Sequence, residues 1–146
     1  MNLEKIHEMW AEDSKINGDL DDASRRTPIL HSKYLDILSR ERMKLVKFEM
    51  DQKTLLKDKW LWYNGKMTKE RMDQLGWDYD PVDGLKILKG EMDYYYDSDP
   101  EIQESELKIK LQKEKIDILK EIIDNLKWRH QTIRNIIEHK KFEAGI

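Results

Sequence analysis

The chain has 146 residues, with 27 Lys and Arg against 30 Asp and Glu, a formal net charge of -3, and no Cys. Disulfides and thiolate metal sites are therefore excluded, and no global excess of positive charge advertises a polyanion partner; such a partner would need local segregation of charge. With 39% charged residues but only three Pro and six Gly, the composition is that of long solvated helices in one domain, residues 1–146, and not that of a sandwich or barrel.

No stretch approaches a membrane span and no basic-then-apolar leader opens the sequence, so a soluble cytoplasmic protein is the expectation. Five Trp and six Tyr against two Phe favour interfaces and half-exposed surfaces, because both rings carry a polar handle.

In chain order, Leu3, Ile6, Met9 and Trp10 are spaced for a short amphipathic helix that fades in the turn-rich Asp13–Gly18. A second short helix is expected from Asp19 to Arg26, completing an N-terminal segment 1–26. Thr27-Pro28 then reads as the start of a long helix over 27–63, with Thr as cap and Pro at its first turn. Its ladder is Tyr34, Leu38, Leu45, Phe48, Leu55 and Trp62, with the polar Glu41, Gln52 and Lys59 on the intervening steps. Gly65 ends it. Residues 64–99 read as a connection, with one short helix from Thr68 to Leu75 stopped by Gly76. Met92-Asp93-Tyr94-Tyr95-Tyr96 is locally strand-like but has no second strand to pair with, so an extended loop or an edge added across subunits is expected.

Asp99-Pro100 opens a C-terminal helix over 100–146, running to about Phe142 with a possible break at Lys127 to Arg129. Ile109, Gln112, Ile116, Leu119, Ile123, Leu126, His130, Ile133, Ile137 and Lys140 follow at alternating steps of three and four. That is a heptad seam, widened by Ile118, Ile122 and Ile136. It fits a bundle, a helical homo-oligomer, or the core of a single chain. On the oligomer reading Ile116, Leu119, Ile123, Leu126, His130, Ile133 and Ile137 form the contact, with His130 and Lys140 as register residues. The fold class is all-α, with two long helices, several short ones and a long irregular connection.

Charge is segregated. Arg40 to Lys59 holds seven cations, among them Lys47, Lys53, Lys57 and Lys59, against four acids. Lys127 to Lys141 is a second basic stretch. Most such runs are ordinary solvated faces with i,i+4 pairs. The first run ends in Lys57-Asp58-Lys59-Trp60-Leu61-Trp62-Tyr63, two Lys and three large aromatics in seven residues. Cations that track phosphates beside rings that stack on bases are what a single-strand binder needs. The alternative is that the rings cap the core where the helix ends; residues 60, 62 and 63 point in different directions, so at least one faces inward.

Glu101-x-x-Glu104 and Glu121-x-x-Asp124 reproduce the carboxylate spacing of the all-α, Mg-dependent nucleotide pyrophosphohydrolases of the MazG type. Both halves lie in what reads as one unbroken helix, about 30 Å apart, far beyond shared coordination of one ion. His7, His31, His130 and His139 form no ligand pair, and there is no phosphate loop or nucleophile elbow. No catalytic residue, metal site or cofactor is assigned.

The central Leu56-Lys57-x-Lys59-x-x-Trp62-Tyr63-x-Gly65 and the tail Phe142-Glu143-Ala144-Gly145 are similar to the UvsY-type recombination mediator proteins of large tailed phages. That family shows Leu-Lys-x-Arg-x-x-Tyr-Tyr-x-Gly and ends in Phe-Glu-Ala-Gly. His31-Ser32-Lys33-Tyr34-Leu35 resembles its Ser-Lys-x-Leu entry to the long helix. The resemblance implies a non-enzymatic protein of DNA recombination, repair and replication that assembles as a ring-like homo-oligomer through its C-terminal part. It also implies binding to single-stranded DNA, loosening of a phage single-strand-binding protein, and help for a RecA-type recombinase to load, in the cytoplasm of the infected bacterial host. On the family's motif, DNA contact carries over onto Lys57 and Lys59, beside Trp62 and Tyr63 and the upstream Lys53 and Lys47. Lys59 stands for Arg, which keeps the charge and loses the planar fork. Lys57 and Lys59 are about 200° apart on a helix and cannot share one strip. The competing reading is a helical scaffold or interaction protein without DNA affinity.

Overall fold

The computed structural model describes residues 1–146. Six α-helices follow in order: α1 Leu3–Asp13, α2 Leu20–Tyr63, α3 Lys69–Leu75, α4 Met92–Ser98, α5 Pro100–Lys127 and α6 Arg129–Glu143, with a 3-10 turn at Lys89–Glu91. The chain divides into two compact units, Met1–Lys44 with Gln112–Ile146, and Leu45–Leu111. Both boundaries fall inside the long helices α2 and α5, where sequence shows no punctuation.

In the first unit, the Asn2 side chain caps α1 by accepting from the Lys5 amide at 2.8 Å. Ile6 of α1 and Ala23, Leu30, Tyr34 and Leu38 of α2 are buried, as are Ile116, Leu119, Ile122, Ile123 and Leu126 of α5. The broad isoleucine stripe is thus the core of its own unit. Ile116, Leu119, Ile123, Leu126 and Ile133, the residues expected to meet between copies, are each covered within one chain. At the break Trp128 turns outward and the inward step falls on Arg129, followed by the buried Ile133. His130 and Lys140 are exposed in the single chain, and Ile137 is 38% exposed.

Helix α2 begins at Leu20, not at Pro28, and no separate helix ends at Arg26. The Thr27 hydroxyl donates to the Ala23 carbonyl at 3.3 Å instead of capping a new helix. Pro28 forfeits one intrahelical bond, but it lies on the exposed side of the helix. Ala23 and Leu30, one on each side of it and seven residues apart, are both buried on one face and hold the helix continuous. The polar rungs of the ladder also point inward. Gln112 Nε2 donates to the Glu41 carbonyl at 2.8 Å and to its carboxylate at 2.9 Å, so two buried polar side chains satisfy each other.

In the second unit, α2 ends as Gly65 takes φ 68°. The Lys66 amide donates to Leu61 (2.8 Å) and the Gly65 amide to Trp62 (3.2 Å), the paired closure that a left-handed glycine permits. Thr68 caps α3 and Gly76 closes it, as their sequence predicts. Met92–Ser98 is helical, which corrects the strand-like reading of the three tyrosines. Tyr95 and Tyr96 turn inward and Tyr94 outward; the Tyr96 hydroxyl donates to the Leu56 carbonyl at 3.3 Å, and the Tyr63 and Tyr95 rings pack with centroids 5.5 Å apart. Tertiary packing overrides the β preference of the run.

Candidate nucleic-acid interface

The last turns of α2 place alternate residues on opposite sides, and the two motif lysines part company there. Lys59 is 2% exposed. Its ammonium lies 3.0 Å from Asp99 and 3.1 Å from Glu101, with the Trp77 and Trp62 ring centroids at 4.1 and 4.5 Å. A cation with two carboxylates and two indole faces around it has its charge fully engaged.

Asp99 serves both this centre and a helix end. One oxygen accepts from the Glu101 and Ile102 amides (2.9 and 3.0 Å), capping α5. The other accepts from the Tyr63 hydroxyl at 2.6 Å and faces Lys59. Burial pushes the Asp99 pKa up, but the Tyr63 hydroxyl, the Ile102 amide and Lys59 outweigh it, and the carboxyl sits below its ordinary value. The Tyr63 hydroxyl is driven up in turn, by burial and by the carboxylate it serves. Trp62 packs against Tyr63 and Trp77 with centroids 4.8 and 5.1 Å away, and its Nε1 donates to the Asp78 carbonyl at 2.6 Å.

Three expected DNA contacts, Lys59, Trp62 and Tyr63, are therefore interior or half-buried and committed to one network. Expected to meet phosphate and bases, Lys59 and Tyr63 in the single chain tie the end of α2 to the start of α5, and Trp62 ties it to Trp77 and Asp78. Their partners lie 16 to 42 residues away in sequence, and no local pattern announces them.

The other face of α2 is open. Lys53 and Lys57 are exposed, and neither has a carboxylate within ion-pair distance. Lys47 is exposed too but pairs with Asp51 at 3.5 Å. Asp58, which separates the two motif lysines, turns to Arg71 at 3.2 Å, so its charge is spent away from Lys57. Trp60 is 41% exposed, with the Lys66 ammonium 4.6 Å from its ring centroid. Residues 53, 57 and 60 follow at i, i+4 and i+7 and so share one helix face. Of the three aromatics at the helix end, Trp60 is the outward one, and that spacing was the signal available for it.

The MazG-like carboxylates are not assembled. Helix α5 runs unbroken through Glu101, Glu104, Glu121 and Asp124, Glu101 is engaged by Lys59, and no three His, Asp or Glu side chains converge where an ion would sit. No helix is long and apolar enough to cross a membrane.

The chain is all-helical, and its long helix presents lysines and an indole on an open face behind which lies a sealed ion pair. Its architecture is already known from crystals. It matches the bacteriophage T4 recombination mediator protein UvsY in lattice type II with a TM-score of 0.80 at 23% identity, over 99% of this chain and 98% of that one. Lattice type IV gives 0.80 at 21% identity (97% and 99% covered), and lattice type I gives 0.79 at 21% (95% and 98%). Among curated proteins none matches the chain as a relative. The chain belongs to the UvsY family: the family model for the recombination, repair and ssDNA binding protein UvsY matches residues 9–146. It is thus a protein of the recombination and repair class.

Proposed function

We propose that this protein is a recombination mediator: a homo-oligomer that binds single-stranded DNA and promotes loading of a RecA-type recombinase onto DNA covered by a phage single-strand-binding protein, in the cytoplasm of the infected host cell. The observation that carries the DNA-binding part is the open Lys53–Lys57 face of α2, two unpaired ammonium groups one helical turn apart, in a member of this family. Lys47, exposed on an adjoining side of α2 and paired with Asp51 at 3.5 Å, is a further contact upstream. Two lysines bind a polyanion weakly, and a homo-oligomer repeats them, so that linked weak sites raise the apparent affinity by orders of magnitude. That is how a chain of net charge -3 holds DNA.

For assembly through the C-terminal part, the exposed apolar residues of α6 and the tail are Ile137, Phe142 and Ile146, with His130 on the same helix. The test is anisotropy of a labelled oligothymidylate titrated with protein at several salt concentrations, with light scattering for assembly mass. A steep fall of affinity with salt is expected, because each neutralised phosphate releases counterions. A protein that stays a single chain and ignores the oligonucleotide at low salt is a scaffold, and the proposal fails.

A further inference from the structure

Beside the end of α2 lies a shallow groove of about 310 Å³, lined by Trp60, Asn64, Lys86, Ile87, Lys89 and Met92. Nothing in the UvsY-like motif, Leu56 to Gly65, reaches its far wall, which comes from the irregular segment after α3. Ile87 is buried and pins that segment, so Lys86 and Lys89 stand on either side of an anchored residue and are not on a free tether. Asn64 Nδ2 donates to the Trp60 carbonyl at 2.8 Å and lies 3.7 Å from the Met92 sulfur, which fixes the floor. Neither Lys86 nor Lys89 has a carboxylate within ion-pair distance, and Lys66 faces only the Trp60 ring. The groove therefore joins one exposed indole to three cations without acid partners.

We propose that this groove is a seat for one unpaired base of single-stranded DNA, stacked on Trp60, with the flanking phosphates held by Lys66, Lys86 and Lys89. The seat continues the strip of Lys53 and Lys57 and rests on the DNA-binding reading above. An unpaired base is the fitting occupant because its flat face is free to meet the indole, whereas a duplex offers only its edges and phosphates. The incoming phosphate draws the Lys66 ammonium off the ring and leaves the indole to the base. Binding by stacking is indifferent to base sequence, and the seat selects single strands over duplex.

The test compares oligothymidylate affinity of the full-length protein with that of Trp60→Ala, Trp60→Tyr and Lys86→Ala/Lys89→Ala, each checked for an unchanged melting curve, with Lys53→Ala/Lys57→Ala as reference. Trp60→Ala is expected to weaken binding at least about fivefold, the loss of one stacked base, and Trp60→Tyr to restore most of it. The double lysine variant is expected to lower the log–log salt slope by about 0.7 for each phosphate released. If the reference variant loses affinity while the groove variants bind like wild type, the seat is wrong and the DNA-binding reading stands. If the wild type itself does not bind, both fall. If the groove variants lose affinity for an acidic peptide of matched charge and not for the oligonucleotide, the groove is a protein-docking site and the proposal is overturned.

Discussion

Each compact unit buries a charge, and the two do so in opposite ways. In the unit of Met1–Lys44 with Gln112–Ile146, which also buries Glu41 and Arg129, the cluster around Asp13 centres on an anion. Asp13 accepts from Lys33 at 2.6 Å and from the Tyr34 hydroxyl at 2.8 Å, Arg26 stands at 3.9 Å, and Arg129 donates to its backbone carbonyl at 3.4 Å. In the unit Leu45–Leu111 the centre is a cation, Lys59, closed in by Asp99, Glu101 and two indoles. Two of the cations around Asp13, Lys33 and Arg26, are themselves partly in water, so solvent takes them over when the carboxylate leaves, whereas Arg129 is buried and bonds only the Asp13 backbone carbonyl. The Lys59–Asp99 pair is sealed, with both side chains nearly inaccessible. Two lysines of one motif thus differ by burial: Lys59 is sealed and Lys57 is open to solvent.

The largest expected effect follows from the sealed pair. Lys59→Ala removes one partner of a buried ion pair and is expected to cost about 3–5 kcal/mol by denaturant unfolding. Per folded molecule, its oligonucleotide affinity stays near that of wild type; a specific loss of affinity with normal stability would reverse the assignment. Asp13→Ala is expected to cost less, about 1.5–3 kcal/mol for hydrogen bonds to a charged group, since half-exposed Lys33 and Arg26 rehydrate. An equal or larger loss than Lys59→Ala would erase the contrast between the units.

Acid sharpens it further. For Asp13, burial raises the pKa and the bonds from Lys33 and Tyr34 more than compensate, so both it and Asp99 sit below the ordinary 3.8. A depressed carboxylate adds stability that is fully present above the unfolded value and is lost as pH falls through the folded one. Unfolding midpoints should therefore hold steady down to about pH 5 and drop below about pH 4. Asp99→Asn should flatten that drop, and a drop of undiminished size would place the acid sensitivity elsewhere. The smallest stability effect belongs to Lys57→Ala, within about 0.5 kcal/mol of wild type, as for an exposed side chain without partners.

Much of the fold was legible from local chemistry. Asp99-Pro100, Thr68 with Gly76, and Gly65 marked their helix ends because caps and left-handed closures act within one turn. The ladder of α2 was legible even through Glu41, Gln52 and Lys59, none of which is fully exposed. Pro28 and the three tyrosines misled because distant packing outweighs a local preference: Ala23 and Leu30 hold one helix together, and Tyr63 and Leu56 draw α4 into another. The site divided the same way. The spacing alone put Lys57 and Lys59 on opposite faces, but choosing the inner one needs Asp99, Glu101 and Trp77, none of them near in sequence. The seam was legible as an apolar face, but periodicity does not say which chain covers it; that Ile116 to Leu126 pack within their own unit took the fold to see.

The central claim is that DNA is gripped by the open face of α2 and not by the sealed lysine behind it. The measurement that tests it most directly is oligothymidylate affinity of Lys53→Ala/Lys57→Ala beside wild type, at one low salt concentration, with light scattering on the same samples. The account predicts a loss of at least about tenfold, with assembly mass and unfolding midpoint unchanged, since two phosphate contacts per chain disappear from every copy. Wild-type affinity in that variant, with assembly intact, would contradict it.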